Sequence, residues 1–399
     1  MQGLIDITKV RADTPGCTQK IFLNSAGSSL MTKGVVQVMQ SYLDKEMILG
    51  GYQTVPFFQH EIDAFYLHAS AILHTSPANI AFTFNATDAY AKAVSSIPFK
   101  SGDYILTTED DYISNYILFF SLQKRFGFQI VRCNTLPSGD IDIFDLETKM
   151  LKYRPLLLSV THIPSNSGKI QDVEQIGQLC EKYDIWYIVD ACQSAGQMDI
   201  DVTKIKCDFL SATGRKFLRG PRGTGLLYVS DLALAAGLEP LLIDMRGATW
   251  DTENSYKPSG SATRFELWEA NYSNILGLSE AIRYALSIGL ENIRTYNLEL
   301  CQLLKEQLQT IPDIKITEEG SQTGSIVTFT SKSKTLDEYK NTLDQANISY
   351  SVGYRHFALI DFNKKNVDWV IRFSPHYFNT TDEILQVGEI LRKKWGDNK

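Results

Sequence analysis

Cysteine is scarce in this chain and has no regular spacing. Only six of the 399 residues are cysteines, and no two of them form a Cys-x-x-Cys pair. Secreted disulfide scaffolds and structural zinc sites depend on such frameworks. We therefore expect a reduced, cytoplasmic compartment. The cysteines stand at positions 17, 133, 180, 192, 207 and 301.

Several other features are missing, and each absence excludes a class of protein. The longest apolar stretches have only the length of strands, so we expect no membrane-spanning segment. The first residues lack a basic region and a long apolar run, so we expect no signal peptide. The net charge of −7 leaves no basic excess for a nucleic-acid partner. The histidines form no His-Glu-x-x-His motif and no serine lies in a Gly-x-Ser-x-Gly elbow, so we expect no metal site and no serine hydrolase.

The first two-thirds of the chain alternate regularly between strand-like and helix-like segments. Short apolar runs without polar alternation are typical of strands that are buried on both faces. When helices separate such strands, they predict an α/β fold with a mostly parallel sheet and helices on both of its faces. The predicted strands are 80–84, 104–108, 128–131, 156–161, 186–189, 209–212 and 226–229, and the predicted helices include 89–96 and 114–126.

The pattern changes after about residue 251. Thr380 and Glu383 have the spacing of a capping box, which predicts the start of a last helix. We therefore expect a large domain over 20–255 and a smaller α+β domain over 256–399, with the segment 1–19 packing on the smaller one. The elements predicted in the smaller domain are helices over 275–310 and 336–346 and strands over 314–316, 325–330, 348–352 and 367–373.

Two residues of the large domain carry the most specific chemistry. Asp190 ends an apolar run, and Lys216 follows the next strand-like run. The carboxyl ends of parallel strands lie at one edge of the sheet, where ligands bind. An acid and a lysine at that edge suit pyridoxal 5′-phosphate (PLP), because the amine condenses with its aldehyde and the acid keeps its pyridine nitrogen protonated. Arg215 adds a charge that can pair with the phosphate and lower the pKa of the neighbouring amine.

These segments resemble the class V aminotransferase family, a group of fold-type I PLP-dependent transferases that includes the cysteine desulfurases. The resemblance includes the loop Gly220-Pro221-Arg222-Gly223-Thr224-Gly225 after the lysine, and it runs from about Phe22 to the C-terminal helix. It implies the two-domain fold described above, PLP as the cofactor, and Lys216 and Asp190 as the catalytic residues.

The resemblance also implies which residues hold the cofactor. Tyr112 takes the place of a histidine that stacks on the pyridine ring. One further residue is implied to lie near the phenolic oxygen of the cofactor. Residue type indicates Asn166 and spacing indicates Ser165, and we prefer Asn166. The implied cofactor-binding residues are Ala86, Thr87, Tyr112, Asn166, Asp190, Gln193, Thr213, Arg215 and Lys216.

Two further residues are implied to approach an amino-acid substrate. Arg372 corresponds to the arginine that grips the α-carboxylate, a role that suits its planar fork of donors. Asn24 lies in an N-terminal stretch that approaches the substrate in similar proteins. The segment 260–271 resembles the part that crosses to a partner subunit, so we expect a homodimer with shared active sites.

One feature of the desulfurases is missing. They carry a nucleophilic cysteine in a loop of the small domain, and Phe357 stands at that position. The segment Arg264-Phe265-Glu266-Leu267-Trp268-Glu269 instead resembles the branch of C–S lyases and isopenicillin-N-epimerase-like proteins.

We therefore expect β-elimination on a cysteine-derived amino acid, such as cystine, a cysteine sulfoxide or a thioether. The products would be pyruvate, ammonia and a sulfur compound. An aminotransferase or an amino-acid epimerase of the same family remains an alternative, and so does a non-catalytic PLP-binding protein.

Overall fold

The computed structural model describes residues 5–395, in which helices and strands alternate. The helices of this range are α1 Ile7–Ala12, α2 Lys33–Leu49, α3 Gly51–Thr54, α4 Gln59–Leu73, α5 Ala86–Ser95, α6 Ile113–Phe126, α7 Ile143–Tyr153, α8 Val173–Tyr183, α9 Val202–Ile205, α10 Asp231–Ala235, α11 Tyr272–Ile288, α12 Leu290–Gln309, α13 Leu336–Gln345, α14 Leu359–Lys365 and α15 Thr381–Trp395. The strands are β1 Ile21–Phe22, β2 Ile80–Thr83, β3 Tyr104–Thr108, β4 Gln129–Cys133, β5 Leu157–Thr161, β6 Trp186–Asp190, β7 Phe209–Thr213, β8 Gly225–Val229, β9 Ala248–Thr252, β10 Ser255–Pro258, β11 Ile314–Ile316, β12 Val327–Ser331, β13 Ile348–Ser349, β14 Ser351–Tyr354 and β15 Trp369–Phe373.

Seven strands form the central sheet, in the order β2-β8-β7-β6-β5-β3-β4. Neighbouring strands are parallel except where β8 pairs with β2 and β7. Every residue of β5, β7 and β8 is buried. These strands lack polar alternation because helices cover both faces of the sheet. The prediction of an α/β fold with a mostly parallel sheet is confirmed.

A second sheet lies in the C-terminal part of the chain. Its four antiparallel strands have the order β11-β12-β15-β14, and their buried side chains share one apolar cluster with α12, α13 and α15. The capping box at the start of α15 is confirmed, because Thr380 and Glu383 each donate a backbone N–H to the other's side chain at 3.2 Å.

The N-terminal segment contacts this C-terminal part. Strand β1 pairs in parallel with β13, and Arg11 forms an ion pair of 2.8 Å with Glu383. The domain boundaries 20–255 and 256–399 and the packing of 1–19 stay predictions. Residues 1–4 and 396–399 of those segments lie outside the described residues.

The prediction of one helix over 275–310 is wrong. The structure has α11 and α12, which meet at Gly289 with a φ of +90°. Glycine adopts this conformation without the steric penalty of a Cβ atom, and it ends the first helix. After the break, α12 runs from one core to the other. Leu278 of α11 and Leu290 at the start of α12 join the core of the large sheet, whereas Leu304 of α12 joins that of the second sheet.

Two observations concern the predicted cellular compartment and the prediction of no membrane-spanning segment. All six cysteines are free thiols in the structure. Among residues 5–395, no helix has both the length and the apolar content that crossing a bilayer requires. The cytoplasmic location stays a prediction.

The packing of α8 on the segment of α9 gives a first test. A Cβ atom on Gly177 would lie 1.8 Å from the backbone oxygen of Ile205. We expect Gly177→Ala to lower the free energy of unfolding by about 1–3 kcal/mol, because backbone has to shift. Urea denaturation followed by circular dichroism measures the loss.

Gln178→Ala is the matched control, since Gln178 is the exposed neighbour of Gly177 on α8. Its expected effect is below about 0.5 kcal/mol. Equal stability of the two variants would contradict the close packing of α8.

Candidate active site

A cavity of about 460 Å³, called here the central cavity, lies at the carboxyl ends of β5, β6 and β7 and at the start of α5. This is the edge where parallel α/β sheets bind ligands. Every predicted cofactor residue except Asn166 lines it. The lining residues are Asn85, Ala86, Thr87, Tyr112, Asn115, Thr161, Ile163, Ser165, Asp190, Cys192, Gln193, Thr213, Arg215 and Lys216.

Asp190 is the last residue of β6, and two donors hold its carboxylate. The backbone N–H of Cys192 donates to Oδ1 at 3.0 Å, and the side-chain amide of Asn115 donates to Oδ2 at 3.2 Å. Because both oxygens have a partner, the carboxylate has a fixed orientation in the lining of the cavity.

A second buried carboxylate, Asp111, lies behind the first. The same amide group of Asn115 donates to its Oδ1 at 2.8 Å, and Thr161 donates to that oxygen at 2.7 Å. Thr107 and Ser159 donate to Oδ2 at 2.5 and 2.8 Å. Burial raises the pKa of Asp111, whereas these four side-chain donors lower it. Asn115 therefore links two buried carboxyl groups.

Lys216 follows β7 and is buried at the wall of the cavity. Burial lowers the pKa of its amine. The acidic groups of Cys192 and Asp190 oppose that shift, and the guanidinium groups of Arg215 and Arg372 add to it. A lysine with a lowered pKa has a larger neutral fraction, which is the form that attacks an aldehyde or takes a proton.

The start of α5 forms the end of the cavity that suits an anion. The side chain of Asn85 caps the helix by accepting from the N–H of Asp88 at 2.9 Å. The N–H groups of the first turn, at Ala86 and Thr87, have no acceptor within the helix and lie at its positive end. Phosphate is therefore a suitable ligand here.

Thr213 and Arg215 bring a hydroxyl group and a cation to the same cavity. The hydroxyl of Thr213 donates to the carbonyl of Thr224 at 3.3 Å and keeps its oxygen as an acceptor. The guanidinium of Arg215 donates to the carbonyl of Gly27. This contact ties the loop after β7 to the N-terminal segment.

The structure places Asn166 and Ser165 at different cavities, and the contact of either residue with the cofactor stays a prediction. Ser165 lines the central cavity, whereas the amide of Asn166 donates to Asp361 at 2.7 Å and lines a neighbouring cavity. The two residues lie in the irregular loop after β5, where adjacent side chains point to opposite sides. Gln193 lines the central cavity as predicted, and its buried Oε1 has no hydrogen-bond partner among the described residues.

Arg372 and Asn24 do not line the central cavity, but Arg372 lies at its border. Its guanidinium donates to the carbonyl of Ser165 at 3.1 Å, and its buried Nε has no partner among residues 5–395. Burial lowers the pKa of Arg372 to about 10, so it keeps its charge at neutral pH. Asn24 forms a backbone bridge with Ser374, two residues beyond Arg372, and its buried Oδ1 also lacks a partner in the described range.

Some features of the site have only weak signals in the sequence. Cys192 lines the central cavity two residues after Asp190, a position that strand-end geometry could have indicated. Thr161, which ends β5, has the same signal. The link from Asn115 to Asp190 has none, because these two residues lie 75 positions apart in the chain.

Phe357 belongs to a short 3₁₀ turn, Arg355–Phe357, that follows β14. It is half exposed, at 50%. Its ring lies against His356, with the ring centroids 4.2 Å apart. The turn therefore exposes an aromatic side chain. By the resemblance, desulfurases carry their cysteine at this position.

The central cavity fits PLP at several points. Lys216 suits the aldehyde, Asp190 suits the pyridine nitrogen, and the start of α5 suits the phosphate. The buried Oε1 of Gln193 has no hydrogen-bond partner among the described residues, so this polar group suits a contact with the cofactor. Within the described range, no group of three or more His, Cys, Asp or Glu side chains could hold a metal ion.

Comparison with known proteins agrees with this geometry. The model of the family "Aminotransferase class-V" matches residues 21–387. A protein of Methanothermobacter thermautotrophicus described as "Probable cysteine desulfurase" is 26% identical over 96% of this chain and 97% of its own length. A protein of Borreliella burgdorferi with the same description is 31% identical over 77% of this chain and 75% of its own length.

Solved structures show the same fold. The apo structure of a cysteine desulfurase from Thermococcus onnurineus superposes with a TM-score of 0.90, at 25% identity and over 99% of both chains. The cystine C–S lyase C-DES in complex with cysteine persulfide superposes with a TM-score of 0.84, at 20% identity and over 95% of this chain and 98% of that one. By its sequence and its site, this chain belongs to the class V aminotransferase family of PLP-dependent enzymes, with PLP as its cofactor.

Proposed function

We propose that this protein is a PLP-dependent C–S lyase that acts by β-elimination on a cysteine-derived amino acid. The observation that carries the proposal is a site with a buried lysine, an oriented carboxylate and an arginine at the border of the cavity. It is combined with a phenylalanine at the position where the resemblance implies the desulfurase nucleophile. When bound, PLP supplies an aldehyde for the amino group and a ring that accepts electron density from the α-carbon.

Lys216 moves the proton of the α-carbon. Burial lowers the pKa of its amine, which favours the neutral form that can accept a proton. Asp190, held by Asn115 and the N–H of Cys192, would pair with the ring nitrogen of the bound cofactor. A fixed carboxylate stabilises positive charge there without having to reorganise.

Arg372 binds the carboxylate of the amino acid. Among residues 5–395 its Nε has no partner and its NH1 group makes one contact, so donors remain for a carboxylate. The α-proton then passes to Lys216, and the Cβ–S bond breaks with its electron pair going to sulfur. After protonation, the leaving group is a thiol from a thioether, a persulfide from cystine or a sulfenic acid from a sulfoxide. The released 2-aminoacrylate reacts with water to give pyruvate and ammonium.

A desulfurase that uses Cys192 is the second candidate, since this thiol lines the central cavity. Burial raises the pKa of Cys192 well above its usual value, and the charge of Asp190 raises it further. A thiol that stays protonated is a poor nucleophile. We therefore favour elimination without a protein acceptor.

Product analysis distinguishes the two candidates. We expect cystine or an S-substituted cysteine to give pyruvate and ammonium in equal amounts with the loss of substrate, because the sulfur departs with its substituent. Cys192→Ser should keep this activity. Stoichiometric alanine from L-cysteine that is lost in Cys192→Ser would contradict elimination, and a D-amino acid or a keto acid with the carbon skeleton of the substrate would indicate an epimerase or an aminotransferase.

Arg372→Lys tests whether Arg372 binds the carboxylate of the substrate. Lysine offers a point charge in place of a planar fork, so we expect kcat/KM to fall about ten- to hundredfold, the range of a charge-assisted hydrogen bond. The visible absorbance of the resting holoenzyme should not change. Arg392→Lys, on the surface of α15, is the control, and equal kinetics of the two variants would exclude Arg372 from substrate binding.

We also infer that the protein is a homodimer. Large apolar side chains are exposed on two stretches of the chain, 43–57 and 242–250. Arg246 of the second stretch donates to the hydroxyl of Tyr66, on the helix that follows the first stretch, at 3.4 Å. Exposed apolar patches of this kind indicate protein interfaces. The stretches carry Leu43, Met47, Ile48, Tyr52, Phe57, Leu242, Met245 and Trp250.

Light scattering of the holoenzyme tests the dimer. We expect twice the mass of the chain, and Met47→Glu should shift the population toward monomer because it places a charge in an apolar interface. Phe144→Glu is the matched control, since Phe144 is 81% exposed on α7 and Met47 is 80% exposed on α2. A wild-type monomer with full activity would contradict the inferred assembly.

A further inference from the structure

A second cavity, called here the side cavity, lies next to the central one and has a volume of about 280 Å³. At two places, adjacent residues of the chain line different cavities. Asp111 lines the side cavity and Tyr112 the central one, and Asn166 and Ser165 divide in the same way. These four residues form the wall between the cavities, which are therefore direct neighbours. The volume is just below the usual range of about 300–1,000 Å³ for whole small molecules, so the side cavity suits one part of a ligand.

Aromatic and aliphatic side chains form most of the side cavity. Helix α6 contributes Tyr116, Ile117 and Phe120, and the turn after β14 contributes His356 and Phe357. The rings of Tyr116 and Phe120 are stacked with centroids 6.1 Å apart. Such walls suit an apolar group, and in particular an aromatic ring, which gains stacking as well as burial.

The acidic groups of the wall already have partners. Asp361 forms an ion pair of 2.8 Å with Lys365 and accepts from Asn166. Asp110 is paired with Lys169. These carboxylates are neutralised within the chain and are not free to bind the ammonium group of a second amino acid.

Two other charged groups lie at the cavity. Glu109 forms an ion pair of 3.1 Å with Lys364. Arg132 is exposed, and its guanidinium lies over the ring of Tyr116 at 5.5 Å. A guanidinium that stacks on a ring extends the aromatic wall. The charges therefore do not change the preference of the cavity for an apolar group.

The position of Arg372 relates the side cavity to the substrate. Its guanidinium binds the carbonyl of Ser165 at the dividing wall, and Lys216 lies in the central cavity. An amino acid held between Arg372 and Lys216 has its β-carbon near the wall. The group attached to its sulfur then has the side cavity as the adjacent space.

We propose that the side cavity binds the S-substituent of the substrate and that the preferred substrate is a cysteine thioether with an apolar, ring-sized group on sulfur. This specificity rests on the proposed lyase function. It assigns Ile117, Phe120 and Phe357 as specificity-determining residues.

Kinetics of the holoenzyme with two thioethers provide the first test. We expect kcat/KM for S-benzyl-L-cysteine to exceed that for S-methyl-L-cysteine at least about tenfold, a ratio within the reach of an apolar pocket. Ile117→Trp, which adds bulk to the cavity wall, should lower this ratio by about the same factor. Leu151→Trp is the matched control and should keep the ratio, since Leu151 is 58% exposed on α7 and Ile117 is 59% exposed on α6.

Binding provides a test that does not depend on turnover. S-benzyl-α-methylcysteine and S-methyl-α-methylcysteine have no α-proton for Lys216 to remove, so calorimetry with the holoenzyme measures affinity alone. We expect the benzyl compound to bind at least about tenfold more tightly and Ile117→Trp to remove that difference. Equal affinities, or a benzyl preference that survives in Ile117→Trp, would overturn the proposal.

The two proposals fail in distinguishable ways. If S-benzyl compounds bind preferentially but no pyruvate forms, the lyase function is wrong and the side cavity keeps its assignment. If pyruvate forms from all thioethers at equal kcat/KM, the lyase function holds and the assignment of the side cavity is overturned.

Discussion

The side-chain amide of Asn115 is the interaction on which the site depends. It donates to Asp190 at 3.2 Å and to Asp111 at 2.8 Å, and so joins two buried carboxyl groups at the edge of the central sheet. Two such groups repel each other and are costly to bury unless donors surround them. The threonine and serine hydroxyls on Asp111 and the backbone N–H on Asp190 complete that shell. The orientation of Asp190 therefore depends on helix α6, through Asn115, and on the loop after β6, through the N–H of Cys192.

Helix α6 also connects the two cavities. Its N-cap, Tyr112, lines the central cavity, its first turn carries Asn115, and its next turns present Ile117 and Phe120 to the side cavity. A shift of this helix would change the orientation of Asp190 and the shape of the side cavity together. The proposed cofactor contact of Asp190 and the proposed S-substituent pocket thus share one helix.

The parts of the site that follow strand geometry could be predicted from the sequence. Asp190 ends an apolar run and Lys216 follows the next one, so the alternation of strands and helices places both at one edge. Contacts outside that geometry could not be predicted. Ser165 and Asn166 lie in an irregular loop where a difference of one residue decides which cavity a side chain reaches. The end of α11 was missed because a single glycine is tolerated in a helical pattern, and only its φ of +90° shows the break at Gly289.

The central claim is that Lys216 holds the cofactor in the central cavity, and borohydride reduction of the holoenzyme followed by peptide mapping tests it most directly. Lys169 is an internal reference, since it is also buried but is paired with Asp110 outside this cavity. The account predicts one pyridoxyl group per subunit, on the peptide that contains Lys216, and none in Lys216→Ala. A pyridoxyl group on Lys169 or another lysine of the wild-type protein, or no label at all, would contradict it.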